Sequence, residues 1–150
     1  MTQELVLYDQ AEGIAILTLN NPERRNAFSR AMLAELKSRL VQVKEDSSVR
    51  VVVLRSTGPV FSSGHDLREL VGGDTESYAG IFAASTAIME AIRLLPQPVI
   101  AQVQGLATAA GCQLVATCDL AVASETASFA TPGSRSACFA LGRASLSHER

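Results

Sequence analysis

The passage that decides the fold class of this chain spans residues 99–114 and reads VIAQVQGLATAAGCQL. Residues 99–103 are mostly branched and apolar and follow two prolines, which predicts a buried strand. Gly105 predicts a turn, and residues 109–118 predict a helix that opens with small side chains. A helix N-terminus carries free N–H groups and a partial positive charge. This passage is therefore a candidate ligand site at the carboxyl end of a strand.

A second passage of the same kind spans residues 60–70 and reads VFSSGHDLREL. It follows residues 49–54, whose run of valines predicts a strand buried on both faces. Small residues and Gly64 at the exit of a strand allow backbone to approach a ligand closely. The glycines of both passages are equally compatible with tight turns and close helix packing, and spacing alone leaves those two interpretations open.

Strands and helices alternate about four times along the chain, which is typical of a single α/β domain. Residues 14–19 predict a strand, and Ser29 is a candidate N-cap for a helix that ends near residues 46–48. A further helix is predicted from residue 75 to about residue 94, and a short strand over residues 120–123. The first helix has an apolar stripe at three- and four-residue spacing, formed by Leu33, Leu36, Leu40 and Val43.

Composition excludes several functional classes. The 150 residues carry a net charge of −2 without a basic run, which argues against a nucleic-acid partner. We also expect no membrane span, because no apolar stretch approaches the roughly 20 residues that one needs. Three cysteines without a close pair predict free thiols and no metal site. The first residues show no basic presequence, which predicts a cytoplasmic location.

Taken together, the motifs resemble the enoyl-CoA hydratase/isomerase (crotonase) superfamily. The resemblance implies a spiral of β-β-α units, with an acyl-CoA-binding core over residues 1–133 and an unmatched tail over 134–150. The tail does not resemble the family's continuation, so we expect a chain truncated at its C-terminus. The motifs that carry the resemblance are Leu19-Asn20-Asn21-Pro22, Arg25-Asn26-Ala27-Phe28, Phe61-Ser62-Ser63-Gly64-His65-Asp66-Leu67, Pro98-Val99-Ile100-Ala101, Gly105, Gly111-Cys112-Gln113-Leu114 and Cys118-Asp119-Leu120.

The resemblance also implies a site. The backbone N–H groups of His65 and Ala110 would form an oxyanion hole for the thioester oxygen of an acyl-CoA, whose coenzyme A is part of the substrate rather than a separate cofactor. Relatives form trimers or hexamers and are mitochondrial, so the resemblance and the N-terminus favour different compartments. The positions implied to contact the acyl-CoA are Arg25, Ala27, His65, Asp66, Leu67, Arg68 and Ala110, with the two arginines on the CoA phosphates.

Two positions depart from the pattern of the hydratases. Gln113 stands where they carry a catalytic glutamate, and an amide does not exchange a proton at neutral pH. Gly133 follows Pro132 where the second glutamate would stand. The sequence therefore predicts a protein of fatty-acid and acyl-CoA metabolism in which hydrolysis, decarboxylation or isomerisation fits better than hydration. A non-catalytic acyl-CoA-binding or regulatory protein and an inactive truncated product remain alternatives.

Two side chains of the passage 60–70 have competing interpretations. The His65 imidazole is either a titratable group beside the thioester or a ring that turns away while only its N–H acts, and the second interpretation is favoured. Asp66 is expected to fix the geometry of the loop rather than to transfer a proton.

Overall fold

The computed structural model describes residues 4–131, which form two sheets and three α-helices. The unmatched tail predicted over residues 134–150 lies outside the described residues. In chain order the elements are β1 (Val6–Ala11), β2 (Ile14–Leu19), a 3-10 helix (Pro22–Arg24), α1 (Arg30–Glu45), β3 (Val51–Ser56), β4 (Val60–Ser62), α2 (Thr75–Arg93), β5 (Val99–Val103), β6 (Leu106–Thr108), α3 (Ala110–Thr117), β7 (Leu120–Ala123) and β8 (Ser128–Ala130).

Two strands followed by a helix form the repeating unit of this order, which confirms the predicted spiral of β-β-α units. A five-stranded sheet has the order β1-β2-β3-β5-β7, and a three-stranded sheet has the order β4-β6-β8. From the second unit onward, the first strand of each unit joins the larger sheet and the second strand joins the smaller one. All neighbouring strands are parallel except β1 and β2, which form an antiparallel hairpin.

The apolar stripe predicted on the first helix is buried as expected. Ser29 caps α1, because its side-chain oxygen accepts a hydrogen bond from the N–H of Met32 at 3.1 Å. The strands predicted over residues 14–19, 99–103 and 120–123 have the bounds of β2, β5 and β7. One apolar core joins side chains from both sheets and all three helices.

Two features of the fold differ from the sequence prediction. Strands β1, β4, β6 and β8 are additional, and the last three contain only three residues each, too few to show an alternating pattern. A two-residue turn, Glu12 and Gly13, joins β1 to β2, and both residues have the positive φ that a type I′ hairpin requires. β3 is not fully buried on both faces: Val52 and Leu54 are buried, whereas Val51 and Val53 are half-buried.

β7 and β8 are the last strands of their sheets within the described residues, and all of their residues are exposed. Leu120 and Val122 of β7 are 62% and 63% exposed, and Phe129 of β8 is 49% exposed. These exposures are high for large apolar side chains on edge strands.

Asn26 joins the segment before α1 to the loop between β3 and β4. Its side chain is fully buried and makes three hydrogen bonds. Its Oδ1 accepts from the N–H of Asn21 at 2.8 Å, and its Nδ2 donates to the carbonyls of Thr57 and Val60, both at 2.9 Å. Asn26 has a φ of 50°, and asparagine tolerates this left-handed conformation better than most residues.

We predict that Asn26→Ala lowers the free energy of unfolding by at least about 2 kcal/mol, because it leaves buried backbone groups without partners. Urea unfolding followed by circular dichroism measures the change. Ser38→Ala, on the exposed surface of α1, is the control and should change stability by less than about 0.5 kcal/mol. Equal midpoints for the two variants would contradict this role of Asn26.

Candidate functional site

The candidate site lies where the loop after β4 meets the start of α3. β4 and β6 are parallel neighbours, with Ser62 opposite Ala107, so both strands leave the small sheet on the same side. Gly64 has a φ of 84°, and a Cβ placed on it would lie 2.9 Å from the Cβ of Ala109 and 3.0 Å from the backbone nitrogen of Ala110. The two passages singled out in the sequence therefore touch, and glycine is required at residue 64 for both its conformation and its lack of a side chain.

The start of α3 is held from two sides. A Cβ on Gly111 would lie 2.5 Å from the carbonyl oxygen of Ser62, so α3 begins directly against β4. On the other side, the N–H of Ala109 donates to the carbonyl of Ala130 in β8 at 3.0 Å. Ala109 has a φ of 52°, a conformation that costs a non-glycine residue about 1–3 kcal/mol and persists only where its surroundings impose it.

Ala110 is the first residue of α3, and its N–H has no hydrogen-bond partner within residues 4–131. The first N–H groups of a helix have no acceptor in the preceding turn. The helix dipole adds partial positive charge at this end, so this N–H is a favourable donor to an oxygen that carries negative charge.

The N–H of His65 is the second unpaired donor. Phe28 forms a parallel bridge with His65, in which the N–H of Phe28 donates to the carbonyl of Gly64 at 2.7 Å and its carbonyl accepts from Asp66 at 3.2 Å. These bonds use the groups on either side of His65, and its own N–H faces away from Phe28. No described residue accepts a hydrogen bond from it. Both predicted donors therefore have no acceptor among the residues that the structure describes, and they lie on segments in contact.

Ser62 anchors the loop formed by residues 63–66, called the donor loop because it carries the N–H of His65. Its hydroxyl donates to the carbonyl of Asn26 at 2.9 Å and accepts from the N–H of Gly64 at 3.2 Å. The N–H of Ser63 donates to the carbonyl of Arg25 at 3.0 Å. The loop is therefore fixed by hydrogen bonds to the segment before α1.

The His65 ring packs between two aromatic rings. Its centroid lies 4.9 Å from that of Phe82 in α2 and 6.4 Å from that of Phe28, both with edge-to-face geometry. Burial lowers the pKa of this imidazole, so the ring is neutral at neutral pH. Sequence reasoning missed Phe82, because its position in α2 carries no motif and only the packing of α2 brings it here.

Asp66 and Arg68 form a bidentate ion pair. Nε of Arg68 lies 3.0 Å from one carboxylate oxygen of Asp66, and Nη2 lies 2.6 Å from the other. The same carboxylate accepts from the N–H of Arg68 at 3.1 Å. Asp66 therefore shapes this turn and pairs with one of the two arginines expected at the CoA phosphates.

The remaining candidates occupy different surroundings. The Arg25 side chain is exposed and makes no ion pair with a described residue. Ala27 is buried behind the donor loop, whereas Leu67 is 71% exposed. Gln113 is exposed on α3 three residues after Ala110, so the two lie on neighbouring positions of the helix surface.

Within residues 4–131, neither a reactive thiol nor a cluster of metal ligands is found near this site. Cys112, in the first turn of α3, is a free thiol whose pKa is raised by burial, so it stays protonated at neutral pH. Within residues 4–131 no three metal-ligating side chains cluster, and no helix there is long and apolar enough to span a membrane. Cys138 and Gly133 lie outside the described residues.

The sequence profile of the enoyl-CoA hydratase/isomerase family matches residues 9–144 of this chain. The chain belongs to the enoyl-CoA hydratase/isomerase family. The matched range runs beyond residue 133, where the motifs alone place the end of the resemblance.

Individual relatives agree with the family. Mitochondrial enoyl-CoA hydratase domain-containing protein 3 of Rattus norvegicus is 49% identical over 142 residues, which cover 90% of this chain and 47% of the relative. The human protein of the same name is 50% identical over 125 residues, which cover 83% of this chain and 41% of the relative. The chain thus spans about half the length of the curated relatives it matches.

Solved structures confirm the crotonase fold. The crystal structure of an enoyl-CoA hydratase from Mycobacterium smegmatis has a TM-score of 0.83 at 52% identity and matches 85% of this chain and 50% of its own. The crystal structure of human enoyl-CoA hydratase domain-containing protein 3 has a TM-score of 0.84 at 47% identity, over 88% of this chain and 53% of its own.

The contact at Gly64 predicts that two glycine-to-alanine substitutions have opposite effects on stability. Gly64→Ala should lower stability by at least about 1 kcal/mol, because it strains the backbone and forces a methyl group against Ala109 and Ala110. Gly80→Ala should instead raise stability by up to about 1 kcal/mol, because Gly80 lies inside α2 with open space around its Cα. Thermal unfolding compares the two variants, and a Gly64→Ala protein as stable as Gly80→Ala would show that the contact is not close.

Burial of His65 predicts a pH dependence of stability. The pKa of His65 is lower in the folded chain, so the unfolded chain takes up the proton first as the pH falls. The stability contributed by the neutral ring is fully present above the ordinary pKa of histidine and is lost as the pH falls below it. Between about pH 8 and about pH 5, the unfolding temperature should therefore fall more for the wild type than for His65→Phe. Parallel pH profiles of the two proteins would contradict the shift.

Proposed function

We propose that this chain binds acyl-CoA thioesters and holds the thioester carbonyl oxygen between the N–H groups of His65 and Ala110. The observation that carries the proposal is the contact at Gly64, which brings together the two segments that carry these donors. Neither donor has an acceptor among residues 4–131. Membership of the enoyl-CoA hydratase/isomerase family supports the same ligand class.

The two donors suit an oxygen that gains negative charge during a reaction. When a thioester forms an enolate or a tetrahedral intermediate, charge gathers on the carbonyl oxygen. Donors that are already in place stabilise this charge without reorganisation, and one such donor typically contributes a factor of about 100 to 1,000 in rate. The dipole of α3 acts in the same direction at Ala110.

Arg25 and Arg68 are the proposed contacts for the phosphates of coenzyme A, which is part of the substrate. A guanidinium binds phosphate through two parallel hydrogen bonds. Arg25 is the more available of the two, because its side chain is exposed and has no partner among the described residues. Arg68 already uses Nε and Nη2 on Asp66, so a phosphate would have to share this guanidinium with the carboxylate.

Hydration of a double bond is not the reaction we propose. Gln113 lies one turn after Ala110, where a hydratase glutamate would move protons, and its amide has no titratable proton at neutral pH. The Asp66 carboxylate is occupied by Arg68. Thioester hydrolysis, and decarboxylation or isomerisation through an enolate, all place negative charge on the thioester oxygen. The two donors can stabilise that charge without a pair of glutamates.

A non-catalytic acyl-CoA-binding protein is the second candidate, favoured by the amide at Gln113 and by the pairing of Asp66 with Arg68. The His65 imidazole, which packs against Phe82, is held in its neutral form by burial, which lowers its pKa. We propose a mitochondrial location from the names of the relatives, with acyl-CoA metabolism as the setting.

Calorimetry with two matched ligands tests the carbonyl site. Butyryl-CoA should bind roughly 2- to 10-fold more tightly than S-butyl-CoA, a thioether without the carbonyl oxygen, because only the thioester meets the two donors. Arg25→Ala should weaken both ligands by the same factor, since the arginine is proposed to bind only the phosphates. Arg93→Ala, exposed at the end of α2, is the matched control and should change neither affinity.

The outcomes separate the parts of the proposal. Equal affinities for the thioester and the thioether would contradict the role of the donors, and no binding of either ligand would overturn the ligand class. In the same preparation crotonyl-CoA, followed by its absorbance, should show no hydration. Rapid loss of that absorbance would show that Gln113 does not prevent hydratase chemistry.

A further inference from the structure

A groove of about 310 Å³ runs along the molecular surface between α1 and α2. It is bordered by residues 30–37 of α1 and residues 80–87 of α2. Its apolar lining includes Leu33, which is buried, and Ala84 and Ala87, which are half-buried. A Cβ placed on Gly80 would meet no neighbouring atom within 4 Å, so the groove has room for another helix to approach at this position.

The α1 side of the groove is basic. Arg30 and Lys37 line it, and Lys44 lies seven residues further along the same side of the helix. All three residues are exposed, and together they are called the basic row. None of them forms an ion pair with a residue in the described part of the chain. The Arg30 guanidinium donates instead to the carbonyl of Ser77 at 3.2 Å.

The outward side of α2 carries the opposite charge. Glu76, Ala83 and Glu90 also recur every seven residues, and all three are exposed. They are called the acidic row, and they lie opposite the buried side of α2. Neither glutamate forms an ion pair within residues 4–131. Because only a methyl group stands between the two carboxylates, this row is narrow enough to enter a shallow groove.

The two rows match in direction and in spacing. Both helices lie between parallel neighbours of the larger sheet, α1 between β2 and β3 and α2 between β3 and β5, so they run the same way. The bond from Arg30 to Ser77 sets their first turns side by side. Seven residues of helix rise about 10 Å, which is the repeat of both rows. The charges therefore lie at matching levels, with Arg30 level with Glu76, Lys37 with Ala83 and Lys44 with Glu90.

We propose that a second copy of this chain occupies the groove, related to the first by a two-fold axis parallel to α1 and α2. In this dimer the acidic row of each copy lies against the basic row of the other. Glu90 meets Lys44 of the partner subunit, and Glu76 meets Arg30 of the partner subunit. Each contact occurs twice, because a two-fold interface repeats every contact. The dimer does not use the His65 and Ala110 donors, so it stands independently of the proposed function.

The charges also decide between the two possible axes. A two-fold axis that crosses the helices would set each row against its own copy. Bases would then face bases and acids would face acids, which is unfavourable at an interface. The axis parallel to the helices instead places opposite charges together at both ends of the groove.

Analytical ultracentrifugation of the full chain tests the dimer through one charge pair. Lys44→Glu and Glu90→Lys should each weaken the dimer by about 10-fold or more, because each reversal creates two like-charge contacts. An equal mixture of the two variants should associate about as strongly as the wild type. In the mixed dimer both contacts again join a lysine to a glutamate. Circular dichroism checks that each variant is folded.

Two control variants separate this interface from other effects. Arg24→Glu lies outside both rows, on the exposed 3-10 helix, and changes the net charge as Lys44→Glu does. Val122→Lys places a charge on β7, which blocks association through that sheet edge. Both controls should dimerise within about twofold of the wild type.

The remaining outcomes decide against the proposal. A wild type that stays monomeric up to about 1 mM overturns the dimer and leaves the groove to a different partner. A dimer that neither reversal weakens, or that Val122→Lys abolishes, has its interface elsewhere. A mixture that associates no better than its components overturns the contact between Lys44 and Glu90. If either variant does not fold, Arg30→Glu and Glu76→Arg carry the same test at the other end of the groove.

Discussion

The close approach of two backbones, at Gly64 and at Gly111, is the constraint on which the site depends. Each glycine faces a neighbour that a single methyl group would displace: Ala110 for Gly64, and Ser62 for Gly111. Because neither glycine brings a side chain to the contact, the donors are positioned mainly by main-chain geometry, which varies less than a side-chain rotamer. Preorganisation of this kind is what makes backbone donors effective in stabilising developing charge.

Hydrogen bonds hold several unfavourable backbone conformations in place around the site. Arg25, Asn26 and Ala109 all have positive φ values without being glycine. Asn26 holds the first of these segments through its three side-chain bonds, and the bond between Ala109 and Ala130 holds the last. Unfavourable local conformations that persist in this way commonly cluster at functional sites. Here they lie on the two segments that carry or support the free N–H groups.

The sequence was informative where periodicity or capping is local. The stripe on α1, the cap at Ser29 and the strand at Ile14–Leu19 follow from the side chains of those segments alone. The strands β4, β6 and β8 do not, because three residues show no period and their pairing depends on contacts distant in the chain. The resemblance singled out the N–H groups of His65 and Ala110, and their role as donors to a ligand stays a prediction. Within residues 4–131 neither group has a hydrogen-bond acceptor, and the segments that carry them touch.

Side-chain contacts in the site were harder to predict than its backbone. The resemblance marks Arg68 as a phosphate ligand, and only the structure shows that Asp66 already pairs with it. Phe82 is one apolar residue in a helix of nineteen, and its contact with His65 arises from the packing of α2 onto the donor loop. Such contacts depend on the relative placement of elements, which a local pattern does not encode.

The exposure of strands β7 and β8 bears on whether molecules of this chain associate in solution. Each is the outer strand of its sheet within the described residues, and Leu120, Val122 and Phe129 present apolar surface there. Edges of this kind favour association between molecules through added strand pairing. Self-association is concentration-dependent and stabilises whichever state it involves. Where these two edges stay uncovered, protein concentration joins pH and ligand as a variable that sets the stability of the folded chain.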